Sequence, residues 1–273
     1  MNHREWNSEA YHRLSNPQFG WGLKVVGRLG ALLLRGDERV MDAGCGTGRV
    51  TAELLNWFPR GQIVAVDLSA NMLGQAREFL SGRFRDQVRF VNADLQQLPF
   101  RGSFDGVFST AVFHWAKDHK RLFANLYAAL CPGGWLVAQC GGGPNLKHVR
   151  ERARKWQGTG RYREFFANWA EPWEYADDAT TAARLRDAGF VDIRTWLEDA
   201  TFSMENRAEY REFLKTVILR TNLEQITNPE LREEFLDMLV DEAVQEGAFR
   251  LDYWRLNIEA KKGIGSLGQR VIG

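Results

Sequence analysis

Between residues 37 and 140, short apolar runs alternate with stretches of helical spacing. Arg39-Val40-Met41-Asp42 reads as the end of a short strand, and Val50 to Trp57 has helical periodicity. Gln62 to Asp67 is a second apolar strand. Ser69 is placed to cap a helix running to about Phe79, with Met72, Leu73 and Ala76 on one face. Val88 to Val91 and Phe104 to Ser109 supply a third and a fourth strand. A helix from His119 to Leu130 is stopped by Pro132-Gly133-Gly134, and Trp135 to Cys140 is a fifth strand. Strand and helix in this rhythm predict a parallel sheet covered on both faces, with ligands bound beyond the C-terminal strand ends.

The flanks have a different texture. Residues 1–36 are helical and aromatic, and are expected to form a gate. A helix from Thr180 to Ala188, with Gly189 as its C-terminal cap, leads to a sixth strand at Val191 to Trp196. Tyr253 to Ala260 is a candidate seventh. Residues 145–175 and 206–248 are too long for plain loops and look helical, which predicts a lid. The expected fold is therefore a doubly wound, mostly parallel seven-stranded α/β sheet. Its core is divided into 37–144, 176–205 and 249–273, with helical cap insertions at 145–175 and 206–248.

Composition narrows the function classes. The 273 residues are 44% hydrophobic and 26% charged, enough for a large core, and carry a net charge of +1. That balance lacks the basic footprint of a dedicated nucleic-acid binder. Cys45, Cys131 and Cys140 form no CxxC pair, so neither a disulfide framework nor a zinc knuckle is expected, and a reducing cytoplasm fits. The N-terminus has no apolar run behind its charges, and Leu29 to Leu34 is far too short to span a bilayer. No HxxxH or HExxH metal pattern occurs.

Asp42-Ala43-Gly44-Cys45-Gly46-Thr47-Gly48 follows a strand and precedes a helix. Glycines there permit a tight turn and close backbone approach to a ligand. Asp67 ends the next strand, 19 positions after Gly48, where a carboxylate can accept from ribose hydroxyls. The G-x-G-x-G spacing departs from the dinucleotide fingerprint. A carboxylate at Asp42 would repel a pyrophosphate but not a sulfonium cofactor bearing an α-amino group. The alternative is that Asp67 and Asp94 only cap helices.

This run resembles the first motif of class I S-adenosylmethionine-dependent methyltransferases. Val66 to Leu73 resembles the second, and Asn92-Ala93-Asp94-Leu95 with Leu98-Pro99-Phe100 the third. Phe104-Asp105 with Ser109 resembles the fourth, and Leu130 to Gly134 the element before strand five. The resemblance covers about residues 37–140 and implies a Rossmann-like core that binds S-adenosylmethionine and releases S-adenosylhomocysteine. It places Asp42 and Gly44 at the methionine end and Asp67 on the ribose, with Leu68 and Met72 against ribose and adenine. Asp94 would accept from the adenine amino group, with the Leu95 backbone on the ring. Gly46, Thr110, Tyr11 and Trp21 are assigned to the cofactor side as well.

The acceptor side is expected from Thr110-Ala111-Val112-Phe113-His114-Trp115, at the C-terminal edge of the fourth strand. Within the family, the chain looks like trans-aconitate methyltransferase and related small-acid methyltransferases. That branch implies an amide and an indole holding the acceptor carboxylate, here Gln18 and Trp115. His114 is then expected to orient or hydrogen-bond, since a carboxylate needs no deprotonation. Tyr11, Ser15, Gln18 and Trp21 lie in an amphipathic segment that would close the pocket, although an exposed helix position is an equal alternative for Gln18 and core packing for Trp21. Trp156, Trp169 and Trp173, with Arg150, Arg152, Arg154, Arg161 and Arg163, could serve an aromatic or acidic substrate, or form a satellite core with a solvated face. Hydroxyl, amine and carbon acceptors in a natural-product or cofactor pathway stay open, as do a nicotinamide oxidoreductase and a non-catalytic cofactor-binding module.

Overall fold

A computed structural model describes residues 16–84, 86–246 and 249–264. Its sheet has seven strands: β1 (Arg39–Ala43), β2 (Gln62–Asp67), β3 (Val88–Asn92), β4 (Phe104–Thr110), β5 (Leu130–Gly141), β6 (Phe190–Asp199) and, last in the chain, β9 (Trp254–Lys262). Their order is β3-β2-β1-β4-β5-β9-β6. Pairing is parallel from β3 through β5, and β9 inserts antiparallel between β5 and β6. The mostly parallel, doubly wound sheet agrees with the expectation.

Alternation along the strands feeds two cores. Met41, Val64, Val66, Val107 and Leu136 join one cluster with α4 (His119–Ala129) and α7 (Asp178–Asp187). Val40, Ile63, Ala65, Phe108 and Val137 face the other side, beneath α1 (Asn16–Gly27), α2 (Arg49–Trp57) and α3 (Ala70–Phe84). A period of two on strands buried on both faces is why these segments read as continuous apolar runs. Helix α3 runs five residues past the expected Phe79 because Leu80 and Phe84 both bury against the sheet, whereas Phe79 points to solvent. Burial of each such side chain contributes about 1.5–3 kcal/mol. Strand β5 begins at Leu130 rather than Trp135. A register shift opposite Phe104 and Gly106 absorbs the Pro-Gly-Gly segment as a bulge.

The two insertions merge into one body. Helices α5 (Lys147–Gln157) and α6 (Arg163–Phe166) come from the first. The second supplies α8 (Arg207–Phe213), a π-helix at Leu214–Ile218, α9 (Arg220–Leu223) and α10 (Pro229–Gln245). A two-stranded ribbon, β7 (Phe202–Ser203) with β8 (Arg250–Leu251), closes its base. The cap has its own apolar core, including Tyr162, Tyr210, Phe213, Phe235 and Leu239. Trp156, Phe165 and Phe166 pack against that core, so the first insertion's aromatics are mainly structural.

Four of the five arginines there are paired. Arg150 and Arg154 pair with Glu171, Arg152 with Glu246, and Arg161 with Glu234. No helix among the described residues is long and apolar enough to cross a membrane.

Candidate active site

The glycine turn joins β1 to α2 over the C-terminal edge of β2. The Gly44 and Cys45 amides donate to the Val66 carbonyl at 2.7 and 3.0 Å. Gly44 has φ +85°, and a Cβ there would sit 2.1 Å from Val112 Cγ2. Only glycine lets the turn and the loop after β4 approach this closely. The Asp67 carboxylate accepts from Gly46 N and from Ser69 N, each at 2.9 Å, which ties the turn to the start of α3. Asp94 accepts from Gln96 N at 2.8 Å and caps a short 3₁₀ turn. Both acids therefore do cap local structure. Both also line a cavity of about 410 Å³ beyond the strand ends, within the size range of small-molecule sites.

That cavity gathers most of the residues singled out in the sequence. Gln18, Gly44, Gly46, Asp67, Leu68, Met72, Asp94, Leu95, Thr110, His114 and Trp115 all line it. Tyr11 and Ser15 lie outside the described residues. Asp42 and Trp21 are not among the lining residues.

Asp42 does not line the cavity. It is 2% exposed, lies behind the turn, and accepts a 2.6 Å hydrogen bond from Thr51 Oγ1. Burial, opposed by that hydrogen bond and reinforced by the charge of Asp67, lifts its pKa to about 7. Repulsion of a pyrophosphate by Asp42 is therefore no ground for telling the two cofactors apart.

Trp21 does not line the cavity either. Its ring packs on Tyr253 at 4.9 Å and Phe202 at 6.3 Å, and the Arg255 guanidinium lies over it at 4.6 Å. It buttresses cavity residues from the cap side.

The loop after β4 is held tightly. Ala111 has φ +60°, a left-handed conformation that costs a non-glycine residue about 1–3 kcal/mol. It is fixed by a 2.7 Å bond from Ala111 N to the Gln139 carbonyl. Glu174 N donates to the His114 carbonyl at 2.8 Å, and Arg184 pairs with Glu174 at 3.0 Å. The 171–175 strap is thereby fastened over His114 and Trp115, bringing Trp173 and Tyr175 into the lining. Tyr175 stacks on Trp173 at 6.0 Å and on His114 at 5.6 Å.

His114 has a defined chemical state. Gly141 N donates to its Nδ1 at 3.3 Å, so Nδ1 is the acceptor and a neutral ring carries its proton on Nε2. Burial first, then the positive charge of Arg255, holds its pKa well below the ordinary histidine value. The ring therefore offers an N–H, not a lone pair. Gln18 Oε1 is buried and has no hydrogen-bond partner among the described residues. Rotating the amide by half a turn exchanges this oxygen for the NH₂ group, so the position suits a ligand group of either polarity.

Sequence reasoning missed Asn145, Tyr175, Tyr253 and Arg255, as well as Val217 and Ile218 of the π-helix, all in the lining. A π-helix inside a cap is a signal of function visible only in three dimensions. No cluster of possible metal ligands occurs among the described residues.

A methyltransferase-domain family model matches residues 41–138, which span β1 to β5. Trans-aconitate 2-methyltransferase of Variovorax paradoxus is 32% identical over 193 residues, 69% of this chain and 67% of that protein. The chain belongs to the S-adenosylmethionine-dependent methyltransferase family. Trans-aconitate 2-methyltransferase of Deinococcus radiodurans is 37% identical over 135 residues, 49% of this chain and 48% of that protein. The methyltransferase chain thus spans about half the length of that relative.

Phosphoethanolamine N-methyltransferase 2 of Haemonchus contortus, solved with S-adenosyl-L-methionine, superposes with a TM-score of 0.60. That superposition covers 94% of this chain and 56% of that one at 22% identity, a likeness of fold. The donor set fits the cofactor. Asp67 and Asp94 bring carboxylates to the cavity that would accept from a ribose and an adenine, Leu68, Met72 and Leu95 bring apolar walls, and Gly44 leaves room where a Cβ would intrude.

Proposed function

We propose that this chain transfers a methyl group from S-adenosylmethionine to a carboxylate oxygen of a small organic acid. One observation carries the choice of acceptor: the His114 ring is neutral and bonded at Nδ1, so it presents a donor. A hydroxyl or ammonium acceptor needs a base to remove its proton. A carboxylate, with a pKa of roughly 4, is already ionised at neutral pH and needs only donors. The relatives that carry a trans-aconitate methyltransferase name support the same reading.

When bound, S-adenosylmethionine supplies an electrophilic methyl group. Asp67 and Asp94 position the ribose and adenine. Gln18, Trp115 and the His114 Nε2–H orient the acceptor, leaving one carboxylate oxygen aimed at the methyl carbon. The 171–175 strap, with Val217 and Ile218 of the cap, excludes water. Catalysis of this kind gains chiefly from proximity and orientation.

The test is turnover of a panel of small acids, alcohols and amines, with products identified by mass spectrometry. Methyl esters are expected, with a rate nearly flat from about pH 6 to pH 8, well above the carboxyl pKa. Methyl ethers or methylamines formed at a rate that climbs with pH, the climb vanishing in His114→Ala, would overturn the carboxylate reading.

A further inference from the structure

Four aromatic rings of the cavity lining touch in a closed circuit. His114 meets Trp115 at 5.3 Å, Trp115 meets Trp173 at 6.1 Å, Trp173 meets Tyr175 at 6.0 Å, and Tyr175 returns to His114 at 5.6 Å. The planes of Trp173 and Tyr175 differ by only 8°. Rings arranged in this way offer an incoming planar group the same stacked and edge-on contacts that they make with one another. Asp67 and Asp94, at the end suited to the cofactor, follow β2 and β3, whereas His114 and Trp115 follow β4, on the far side of β1. The circuit therefore belongs to the acceptor end.

The cap extends this wall with aliphatic side chains. Leu146, Val217 and Ile218 line the same cavity, and Leu146 and Ile218 also belong to the cap's apolar core. Unusual backbone holds all three. Leu146, immediately before α5, has φ +54° and is fixed by a 2.9 Å bond from its amide to the Asp252 carbonyl. Val217 and Ile218 end the π-helix, which Leu219 N closes on the Leu214 carbonyl at 2.7 Å. Left-handed non-glycine residues and π-turns carry a cost, and they cluster where a fold grips a ligand. Among the described residues, the lining holds one cationic side chain, Arg255, and two carboxylates, Asp67 and Asp94. A second or third carboxylate on the acceptor would lose its hydration against apolar walls.

We propose that the acceptor is a monocarboxylic acid with a planar apolar body, an aryl or arylalkenyl acid, whose body lies against the four-ring wall and the Val217–Ile218 edge of the cap. The inference rests on the carboxylate reading above and narrows it. The carboxylate stays with Gln18, Trp115 and the His114 Nε2–H, and the body takes the wall beyond them. One carboxylate oxygen then bonds to the methyl carbon as the carbon–sulfur bond breaks, with both electrons of that bond left on sulfur. The products are the methyl ester and S-adenosylhomocysteine. Trans-aconitate, a tricarboxylate, would be a poor acceptor for such a wall.

The test measures methyl-ester formation by the full chain, as kcat/KM, on benzoate, phenylacetate and cinnamate, on hexanoate, and on fumarate and trans-aconitate. The best aryl acid is expected to exceed trans-aconitate by about 10-fold or more, the worth of burying one ring. Calorimetry in the presence of S-adenosylhomocysteine should show that acid binding with a negative heat-capacity change, the mark of apolar burial. Trp173→Leu keeps an apolar surface but removes one ring. It should raise KM for aryl acids about 10-fold and for hexanoate by less. Val217→Thr sets a hydroxyl on the wall at nearly constant shape and should raise KM for aryl acids about threefold, with cofactor Kd unchanged. That second variant keeps the test decisive if Trp173→Leu does not fold.

Preference for hexanoate, fumarate or trans-aconitate over every aryl acid would overturn the planar apolar body and leave carboxylate methylation standing. Unchanged aryl-acid KM in Val217→Thr and in a folded Trp173→Leu would overturn its placement on this wall. A weakened cofactor Kd with unchanged acceptor KM in either variant would give the wall to S-adenosylmethionine and also overturn the inference. Methyl ethers or methylamines as products, with no ester from any acid, would remove the carboxylate reading, and this acceptor class with it.

Discussion

The two ends of the cavity are built in opposite ways. At the cofactor end, Gly44, Gly46, Asp67, Met72 and Asp94 come from three successive strand-to-helix junctions, and backbone groups do much of the fastening. At the end proposed for the acceptor, Gln18, His114, Tyr175, Ile218 and Arg255 come from five segments scattered over the chain. They are held by side-chain packing, a strap and a cap core. The first end is expected to tolerate few substitutions because it is a backbone device. The second can be reshaped residue by residue while the sheet stays intact, which suits a fold whose sites carry its function.

The largest expected effect lies at the cofactor end. Gly44→Val places a branched side chain where even a Cβ would meet Val112 at 2.1 Å, at a φ of +85°. S-adenosylmethionine affinity should fall by about 100-fold or more, with a stability loss of about 1–3 kcal/mol. Calorimetry and thermal melts check both. Affinity within a factor of three of wild type would show that the acceptor end is not the more plastic of the two.

Trp115→Phe sharpens the contrast from the other side. It keeps the ring that packs 6.1 Å from Trp173 but removes the indole N–H. The kcat should fall by about tenfold, the worth of one hydrogen bond, while cofactor Kd stays constant. A matching change in cofactor Kd would merge the two ends into one unit.

The smallest effect joins the ends to pH. The pKa of Asp42 is raised to about 7 by burial, so its folded form binds a proton that the unfolded form has released. Stability from this group should therefore decline as pH rises from about 4 to about 7. A sulfonium and an ammonium bound beside the turn favour the ionised form. Cofactor affinity should then improve by a few-fold between pH 6 and pH 8, with proton release visible in buffers of different ionisation enthalpy. Asp42→Asn should flatten both trends, and an unchanged slope in that variant would detach Asp42 from the cofactor.

The contrast also explains what was legible. That Gly44, Asp67 and Asp94 meet along one cavity could be anticipated because a turn, a strand end and a cap are local, and their residues stand close in sequence. Trp21 stayed open between two readings because an indole on an amphipathic helix packs equally well on a lid core or a ligand, and its contacts with Tyr253 and Phe202 appear only in three dimensions. The surroundings of Asp42 were not legible, because spacing locates a carboxylate without showing its hydrogen bond from Thr51.

Arg255 was overlooked for a related reason. Arg255, Asn257 and Glu259 alternate with Leu256, Ile258 and Ala260, the pattern of a strand with one face in water. That polar face is instead covered by α1 and the turn after it, through Trp21 and Arg28.

By itself, then, the sequence determined the alternation of strands and helices, the glycine turn with its two acids, and the placing of two helical insertions. Each of these follows from periodicity and backbone geometry over a few neighbouring residues. The tertiary structure alone decided the insertion of β9 between β5 and β6, the tautomer of His114 and the burial of Arg255. Each of these depends on groups more than a hundred residues apart, or on a backbone amide meeting a ring nitrogen, and no local pattern encodes such a meeting.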